Sequence, residues 1–273
     1  MKKEAQEEKI EVEEEKIVVE KDVMEDIPTE EKAPAIEKPE EQVSGWQPKT
    51  ELGKKVRAGT ITDIRKILRS GQKIMEAPII DTLLPNLESD LLLIGQSKGK
   101  FGGGQRRVFR QTQKKTKEGN NPSFATYAVV GNKNGIIGLG YGKSKETVPA
   151  REKALRNAKL NIFEIIRGGG SWESTSDEPH SIPFAVSGKC GSVEITLLPA
   201  PKGKGLVCEK EVAKILALAG IKDVWSRTKG KTTSKINLVK ATEKALRQLM
   251  IFKLPIGRRV ELEKMNEAAY DRA

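Results

Sequence analysis

The spacing of apolar residues predicts a first unit of helices and strands that begins at Trp46. A helix is predicted to start at Thr60 and Asp63, which resemble a capping box, and to end at Gly71. Its apolar face would carry Ile61, Ile64, Ile67 and Leu68. Two strands are predicted next, at residues 91–94 and 106–112.

Apolar residues then predict a β-hairpin formed by residues 123–131 and 135–141. The turn Asn132-Lys133-Asn134-Gly135 supplies residues that tolerate positive φ. A long helix is predicted for residues 148–167, and the glycines at 168–170 would end it. Its apolar stripe would be Ala154, Leu155, Ala158, Ile162, Ile165 and Ile166. The first unit is therefore a small sheet backed by helices.

A second unit of the same construction is predicted from His180 onward. Strands at residues 182–187 and 192–198 would flank a turn at residues 188–191, and a further strand would occupy residues 221–226. Helices are predicted at residues 208–219, with Gly220 as the C-cap, and at residues 238–250. Each unit sets helices against a sheet, so the pattern predicts an α+β protein of two small domains.

Composition divides the 273 residues into five segments. Residues 1–45 carry 16 Asp or Glu and 7 Lys, a net charge of −9, and we expect them to form a disordered acidic tail. Domains are predicted at residues 46–170 and 180–252, with a polar linker at residues 171–179 and a charged extension at residues 253–273. The tail is interpreted as an inert solubilising extension or as an electrostatic shield for the basic body.

Charge and composition point to a polyanionic partner. After residue 45 the chain carries 42 Lys or Arg and 22 Asp or Glu, a net charge of +20, which attracts phosphate and releases its counterions. No stretch approaches the ~20 apolar residues of a membrane span, and the acidic N-terminus has no secretory pattern. Cys190 and Cys208 form no CxxC pair, which suits a reducing cytoplasm.

Catalytic chemistry has little support in the sequence. A Cys–His or Ser–His nucleophile would have to use His180, the one histidine, and a lone histidine is more often a packing or surface residue. No set of metal ligands is present, so we predict no enzyme activity, cofactor or metal. The roles of His180, Cys190 and Cys208 stay open.

A glycine run ends in Gly142-Lys143-Ser144 before a helix, as a phosphate-binding loop does. A P-loop needs a glycine at position 137, which is Ile137, and a dinucleotide fingerprint needs one at position 143, which is Lys143. We interpret the run as a strand end that lets another backbone approach closely, with Lys143 and Lys145 facing phosphate.

The strongest local signal is SKGKFGGGQRRVFRQTQKKTK at residues 97–117, with eight Lys or Arg and no acidic residue. Its arginines offer planar donors for phosphate, although a merely solvated basic hairpin is the alternative. Phe101 and Phe109 are interpreted as core residues rather than base-stacking platforms. The predicted RNA-binding residues are Lys54, Lys55, Lys98, Lys100, Arg106, Arg107, Arg110, Lys114, Lys115, Lys117, Lys143 and Lys145.

Several stretches resemble the universal small-subunit ribosomal protein S-five family. SFATYAVVGNKNGIIGLGYGKSKETVPAREKALRNAK (123–159) is similar to its hairpin and helix. PHSIPFAVSGKCGSVEITLLPAPKGKGLV (179–207), AGIKDV (219–224) and KATEKAL (240–246) resemble its second domain. GWQPKTELGKKV near residue 45 and the GGGQRR loop resemble the archaeal and eukaryotic form. The resemblance covers about residues 45–250.

The resemblance implies a first domain similar to a double-stranded-RNA-binding fold and a second α/β domain with a left-handed βαβ crossover. It implies a cytoplasmic, ribosome-bound protein that contacts small-subunit rRNA, ribosomal proteins S-four and S-eight, and messenger RNA near its entrance channel, where the family influences decoding accuracy. The loop at residues 114–121 matches the family's rRNA-inserting loop by position but lacks the bacterial Lys-Gly-Gly-Arg. The segment 202–210 matches the part that faces S-four, so a protein contact is expected at Lys202, Gly203, Lys204 and Gly205.

Two other functions remain open from the sequence. A free double-stranded-RNA-binding regulator would share the basic first domain but would give no reason for the second. An enzyme of nucleotide metabolism would rest on Gly142-Lys143-Ser144 alone.

Overall fold

The computed structural model describes residues 46–97, 104–169, 178–251, 260–262 and 264–266. The predicted acidic tail, most of the predicted linker and most of the C-terminal extension lie outside these residues. Three short helices come first: α1 (Glu51–Arg57), α2 (Ile64–Arg69) and α3 (Pro78–Leu83). No helix among the described residues is long and apolar enough to cross a membrane.

The predicted start of α2 at Thr60 is wrong. The helix begins at Ile64 with Asp63 as its N-cap residue, and the Asp63 carboxylate pairs with Lys66 at 2.9 Å instead of capping a backbone N–H. Ile64 and Ile67 are buried on the predicted face, and Gly71 adopts a φ of +72° just after the helix, as expected of a C-terminal glycine.

The first sheet is antiparallel and is built around one long strand. Its strands are β1 (Glu88–Leu92), β2 (Arg110–Thr116), β3 (Gly119–Gly131), β4 (Ile136–Ser144) and β5 (Ile162–Glu164), in the order β1-β3-β4-β5, with β2 also paired to β3. Along one edge of β3, β1 pairs with residues 127–131 and β2 pairs with residues 119–125. The predicted β3–β4 hairpin is confirmed, and its turn holds Lys133 at a φ of 59° and Gly135 at 86°.

The predicted helix at residues 148–167 is wrong at its C-terminal end. The helix α4 (Thr147–Leu160) stops at Asn161, and the next residues form β5 on the edge of β4, with Phe163 opposite Ile137. Pairing with β4 satisfies the backbone while burying Ile162 and Ile165, so it replaces two more helical turns. The strands predicted at residues 91–94 and 106–112 are also displaced, to β1 and β2.

The second sheet contains β6 (Val186–Cys190), β7 (Val193–Pro199), β8 (Leu206–Val207) and β9 (Val224–Lys229), in the order β6-β7-β9-β8. The helices are α5 (Lys210–Leu218) and α6 (Lys235–Ile251). β8 and β9 are parallel and are joined by α5, which makes a βαβ unit. The predicted four-residue turn is wrong, because β6 continues to Cys190 opposite Val193 and the chain reverses at Gly191, whose φ is 61°.

The strands of the second unit were predicted too early in the chain. The segment 182–185 precedes β6, and Ile221 belongs to the turn after α5, where its N–H donates to Leu216 O at 3.0 Å. Ile182 and Ile221 are nevertheless buried, so their apolar character reflects the core and not a strand. The two predicted helices are confirmed, with bounds that differ by a few residues.

One hydrophobic core joins the two sheets. It includes Tyr127, Val129 and Leu139 of the first sheet together with residues of β7, β9, α5 and α6, such as Ile195, Leu197, Val224, Ile215 and Leu246. The buried carboxylate of Glu211 on α5 accepts a hydrogen bond from Leu93 N at 2.8 Å, which ties α5 to the end of β1. The two predicted units are therefore packed into one body through apolar and polar contacts.

The β3–β4 turn rests on the end of α5. Nη1 of Arg167 donates to Lys133 O at 3.2 Å and to Gly220 O at 3.3 Å, so one buried guanidinium links both segments. Burial, followed by the charge of Arg65, lowers the pKa of Arg167 to about 10. Gly220 has a φ of 82°, and a Cβ there would overlap the Lys133 carbonyl.

Candidate nucleic-acid interface

β2 and the first half of β3 form a hairpin that projects beyond the first sheet. β4 pairs with β3 only from Phe124 onward, so among the described residues the hairpin has no third strand toward its tip. All residues of β2 are exposed, as are the first three of β3. The strand sequence RQTQKKT contains no apolar residue that could be buried. An isolated two-stranded hairpin is marginally stable in water, so this element favours a partner.

The strand register places basic residues from distant parts of the chain on one face. Arg110 lies opposite Ala125, and Ala125 lies opposite Lys143, so these side chains form one row across three strands. By alternation, Lys114 and Tyr141 project from the same face. Tyr141 is 40% exposed and was missed by the sequence reasoning, which had no means of placing it beside Arg110.

The other predicted hairpin residues are exposed as well. Lys115 lies opposite Asn120 and projects from the second face, while Lys117 lies in the tip between β2 and β3. Lys145 stands in the short connection between β4 and α4. The hairpin therefore presents positive charge on both faces, while at its tip Lys117 stands beside the exposed Glu118.

Not every predicted residue belongs to this hairpin surface. Arg106 is half-buried, and its guanidinium donates to Gly95 O at 3.3 Å and to Thr233 O at 3.1 Å, so it also links the first unit to the segment before α6. Arg107 is exposed. Lys54 and Lys55 are exposed on α1, which packs against α3, and they form a separate basic patch. Lys98 and Lys100 lie outside the described residues.

The glycine run lies within β4 and not in a loop. A Cβ on Gly138, Gly140 or Gly142 would overlap the backbone of α4 at Ala158, Ala154 or Ala150. β4 is paired with β3 through Ser144, so this backbone forms part of the sheet and does not wrap a phosphate. The interpretation of the run as a site of close backbone approach is confirmed.

Comparison with known proteins agrees with this geometry. The profile "Ribosomal protein S5, N-terminal domain" matches residues 108–166, and "Ribosomal protein S5, C-terminal domain" matches residues 188–258. Small ribosomal subunit protein uS5 of Nanoarchaeum equitans is 49% identical over 207 residues, which are 76% of this chain and 89% of that protein. The chain belongs to the ribosomal protein S5 family.

Other relatives named small ribosomal subunit protein uS5 support the same assignment. The Pyrobaculum calidifontis protein is 45% identical over 212 residues, which are 78% of this chain and 98% of that protein. A Methanococcus maripaludis protein is 43% identical over 213 residues, which are 78% of this chain and 86% of that protein. The resemblance seen in the sequence is confirmed, as is the prediction that the chain is not an enzyme, because these relatives are ribosomal proteins.

The predicted protein-contact segment of this S5-family chain is an exposed turn with a buried anchor. Lys202, Gly203 and Lys204 are exposed, and a Cβ on Gly203 would meet nothing within 4 Å. Gly205 N donates to Oδ1 of Asp223 at 2.7 Å, and Oδ2 of Asp223 lies 2.9 Å from Nδ1 of His180. His180 and Asp223 are both buried, so the lone histidine of this S5-family protein lies in the interior and supports the turn.

The cysteines of this S5-family chain are unpaired. Burial, and then the charge of Glu209, raise the pKa of Cys208 to about 11. A group with this pKa is almost fully protonated at about pH 8, and only the thiolate reacts. We expect iodoacetamide to alkylate Cys208 at least tenfold more slowly in the native protein than in urea. The reason is that a smaller fraction of the thiol is ionised in the native protein. Peptide mass spectrometry measures both rates, and equal rates would contradict the buried position.

Proposed function

We propose that this chain is a structural constituent of the small ribosomal subunit that binds small-subunit rRNA. The observation that carries the proposal is the projecting basic hairpin, whose Arg110, Lys114 and Lys143 share one face. Membership of the S5 family supports the proposal that the hairpin fits into the small ribosomal subunit, because the relatives are named small-subunit proteins. The hairpin would insert between rRNA segments, whose phosphates would neutralise its lysines and arginines, since Glu118 at the tip is the one acidic residue among residues 110–125.

We also propose that the first unit has a double-stranded-RNA-binding type of fold, and the arrangement of its strands and helix supports this. β2, β3 and β4 are consecutive antiparallel strands, and α4 packs on one face of them through the glycines of β4. Lys143 and Lys145 precede the start of α4, where the helix dipole also favours phosphate. In the second unit, the βαβ connection through α5 is the element whose left-handed crossover the family resemblance implies.

We further propose that the turn at Lys202–Gly205 contacts ribosomal protein S-four, and that the protein also adjoins S-eight and the entrance channel of messenger RNA. The exposed lysines and the open space around Gly203 suit a surface contact. A cytoplasmic, ribosome-bound location follows from this assignment. The proposal that the protein contributes to decoding accuracy depends on this contact between the turn and S-four.

The decoding role predicts an effect of substitutions at Gly203 and Gly205. Both have positive φ, 87° and 71°, so alanine there costs on the order of 1 kcal/mol and distorts the turn without unfolding the body. We expect Gly203→Ala and Gly205→Ala to change the frequency of misreading in a reporter assay, with subunits still assembled. Gly59→Ala, also at positive φ in open space but on the first unit, is the matched control. Misreading equal to the control would reject this contact.

The test of the main proposal is co-sedimentation with small subunits. We expect the full chain to remain on small subunits in gradients at high salt, because protein contacts and a buried hairpin persist when exposed ion pairs are screened. A free double-stranded-RNA-binding regulator, the alternative function, would dissociate from subunits and bind duplex RNA equally well at low salt. Loss of the protein from subunits at high salt would therefore favour the regulator.

A further inference from the structure

A cavity of about 370 Å³ lies between the base of the hairpin and the start of α4. Its walls include Gln96, Arg107, Phe109, Gln111, Phe124 and Thr147. These residues come from four separate parts of the chain, so no local sequence pattern predicts the cavity. Its size is in the lower part of the range of small-ligand pockets, about 300–1,000 Å³, and suits one small planar group rather than a protein segment.

Two aromatic side chains line this cavity without belonging to either hydrophobic core. Phe109 and Phe124 are half-buried and occur in neither of the two core clusters. The interpretation of Phe109 as a core residue is therefore wrong, while Phe101 lies outside the described residues. Gln111 lies directly opposite Phe124 in the register, so the amide and the ring project from the same face of the hairpin.

The polar lining is neutral or positive. Among the described residues, the side-chain amides of Gln96 and Gln111 make no hydrogen bond, so each offers both a donor and an acceptor to a ligand. Arg107 is exposed at the same cavity and brings a positive charge, and no carboxylate lines the cavity within the part of the chain that the structure describes. This lining disfavours a metal ion or a basic peptide. A planar group attached to phosphate could stack on the rings, bond to the amides and pair with Arg107.

We propose that this cavity binds one unpaired RNA base, extruded from a strand held on the basic hairpin, with adenine preferred. The rings of Phe109 and Phe124 would stack on the base, and Arg107 would contact the adjoining phosphate. A glutamine amide can bond adenine bidentately, accepting from the exocyclic amine and donating to a ring nitrogen. This inference rests on the RNA-binding function proposed above and adds a base-specific site to it.

The geometry separates this site from the charged face of the hairpin. Gln111 and Phe124 project from the face opposite to Arg110 and Lys143, by strand alternation. The face of Arg110 and Lys143 would therefore hold the phosphate backbone, while the other face, which also carries Lys115, receives a base. Binding to the charged face contributes to affinity for all RNA, and the cavity contributes only when an unpaired base is available.

The experiment compares three RNA duplexes that carry a bulged adenine, a bulged uracil or a bulged abasic residue. The full-length protein is titrated with each duplex at ~0.15 M salt, and dissociation constants are measured by fluorescence anisotropy. We expect the adenine probe to bind about tenfold more tightly than the abasic probe, which is typical of a stacked base, with uracil between them. In a probe with 2-aminopurine at the bulge, stacking should also quench the fluorescence.

Two variants test the cavity itself. Phe124→Leu keeps an apolar side chain but removes the ring face, and Gln111→Leu removes an exposed amide without disturbing a core. We expect Phe124→Leu to abolish the preference for the bulged adenine and Gln111→Leu to reduce the difference between adenine and uracil. Both should leave abasic binding and the thermal unfolding midpoint unchanged. As a matched control, Gln113→Leu changes an exposed glutamine of β2 that does not line the cavity.

The outcomes separate the two proposals. If the wild-type protein binds all three probes equally, the base site is rejected and the RNA-binding function stands. If Phe124→Leu and Gln111→Leu retain the full preference for adenine, the base binds elsewhere and this site is rejected. If the protein binds no probe, the RNA-binding function fails and the base site fails with it.

Discussion

Replacing Lys114, Lys115 and Lys117 together with glutamine is expected to lower affinity for small-subunit rRNA by on the order of a hundredfold at ~0.15 M salt. Each phosphate contact contributes about 0.7–0.9 to the slope of log affinity against log salt, so three lost contacts reduce the slope by about 2–3. All three side chains are exposed on a hairpin without a core, so the fold should be unaffected. Titrations at several salt concentrations measure both quantities.

A matched control separates a local contact from a general loss of charge. Lys73, Lys222 and Lys240 are exposed and lie outside the hairpin, and their replacement by glutamine removes the same net charge. We expect this control to shift affinity only slightly, because charges beyond about a Debye length, ~8 Å, are largely screened. Equal slopes for the two triple variants would show that the hairpin makes no special contact with RNA.

The lysines give a cleaner test than the neighbouring arginines. Arg106 donates to the carbonyls of Gly95 and Thr233, so a variant that removes Arg106 also breaks a link between the two units. A combined change at Arg106, Arg107 and Arg110 would mix lost phosphate contacts with lost stability. Arg107 and Arg110 are exposed, and a double variant at these two positions avoids the structural link.

The elements that depend on local chemistry were predictable from the sequence. The β3–β4 turn follows from residues that accept positive φ, and Lys133 and Gly135 adopt it. The spacing of Gly138, Gly140 and Gly142 indicated close backbone approach, which α4 makes. The basic residues of the hairpin were selected as RNA-binding candidates from charge density alone, and β2 itself, RQTQKKT, has no apolar residue.

The elements that depend on distant partners were not predictable. Ile162 and Ile165 continue the apolar spacing of α4, yet the edge of β4 takes residues 162–164 as a strand, because pairing there satisfies the backbone and buries both side chains. Likewise, Phe109 looked like a core residue because an isolated sequence does not show which cavity an aromatic side chain lines. The row of Arg110, Ala125 and Lys143 required the register.

Gly140→Ala is expected to lower the free energy of unfolding by about 2–3 kcal/mol, the cost of overpacking a close contact. A Cβ at this position would overlap backbone atoms of Ala158 and Ala154, which cannot rotate away as a side chain can. The helix α4 would have to move off the sheet and leave the contacts of Ala154 and Ala158, both fully buried. Urea unfolding measures the change, with the slope of the transition as a check on the mechanism.

Whether Gly140→Ala lowers or raises the free energy of unfolding distinguishes two interpretations of the glycine run. If the run served only as a flexible strand end, alanine would stabilise the strand by about 0.5–1 kcal/mol, since glycine is entropically costly there. Gly59→Ala, in open space at a φ of 72°, is the control and should cost on the order of 1 kcal/mol. Because Lys143 and Lys145 lie just before α4, which begins at Thr147, displacement of this helix should also weaken RNA binding by the hairpin surface. A Gly140→Ala protein as stable as the Gly59→Ala control would mean that α4 does not need the close approach, and the packing of helix on sheet described for the first unit would then be wrong.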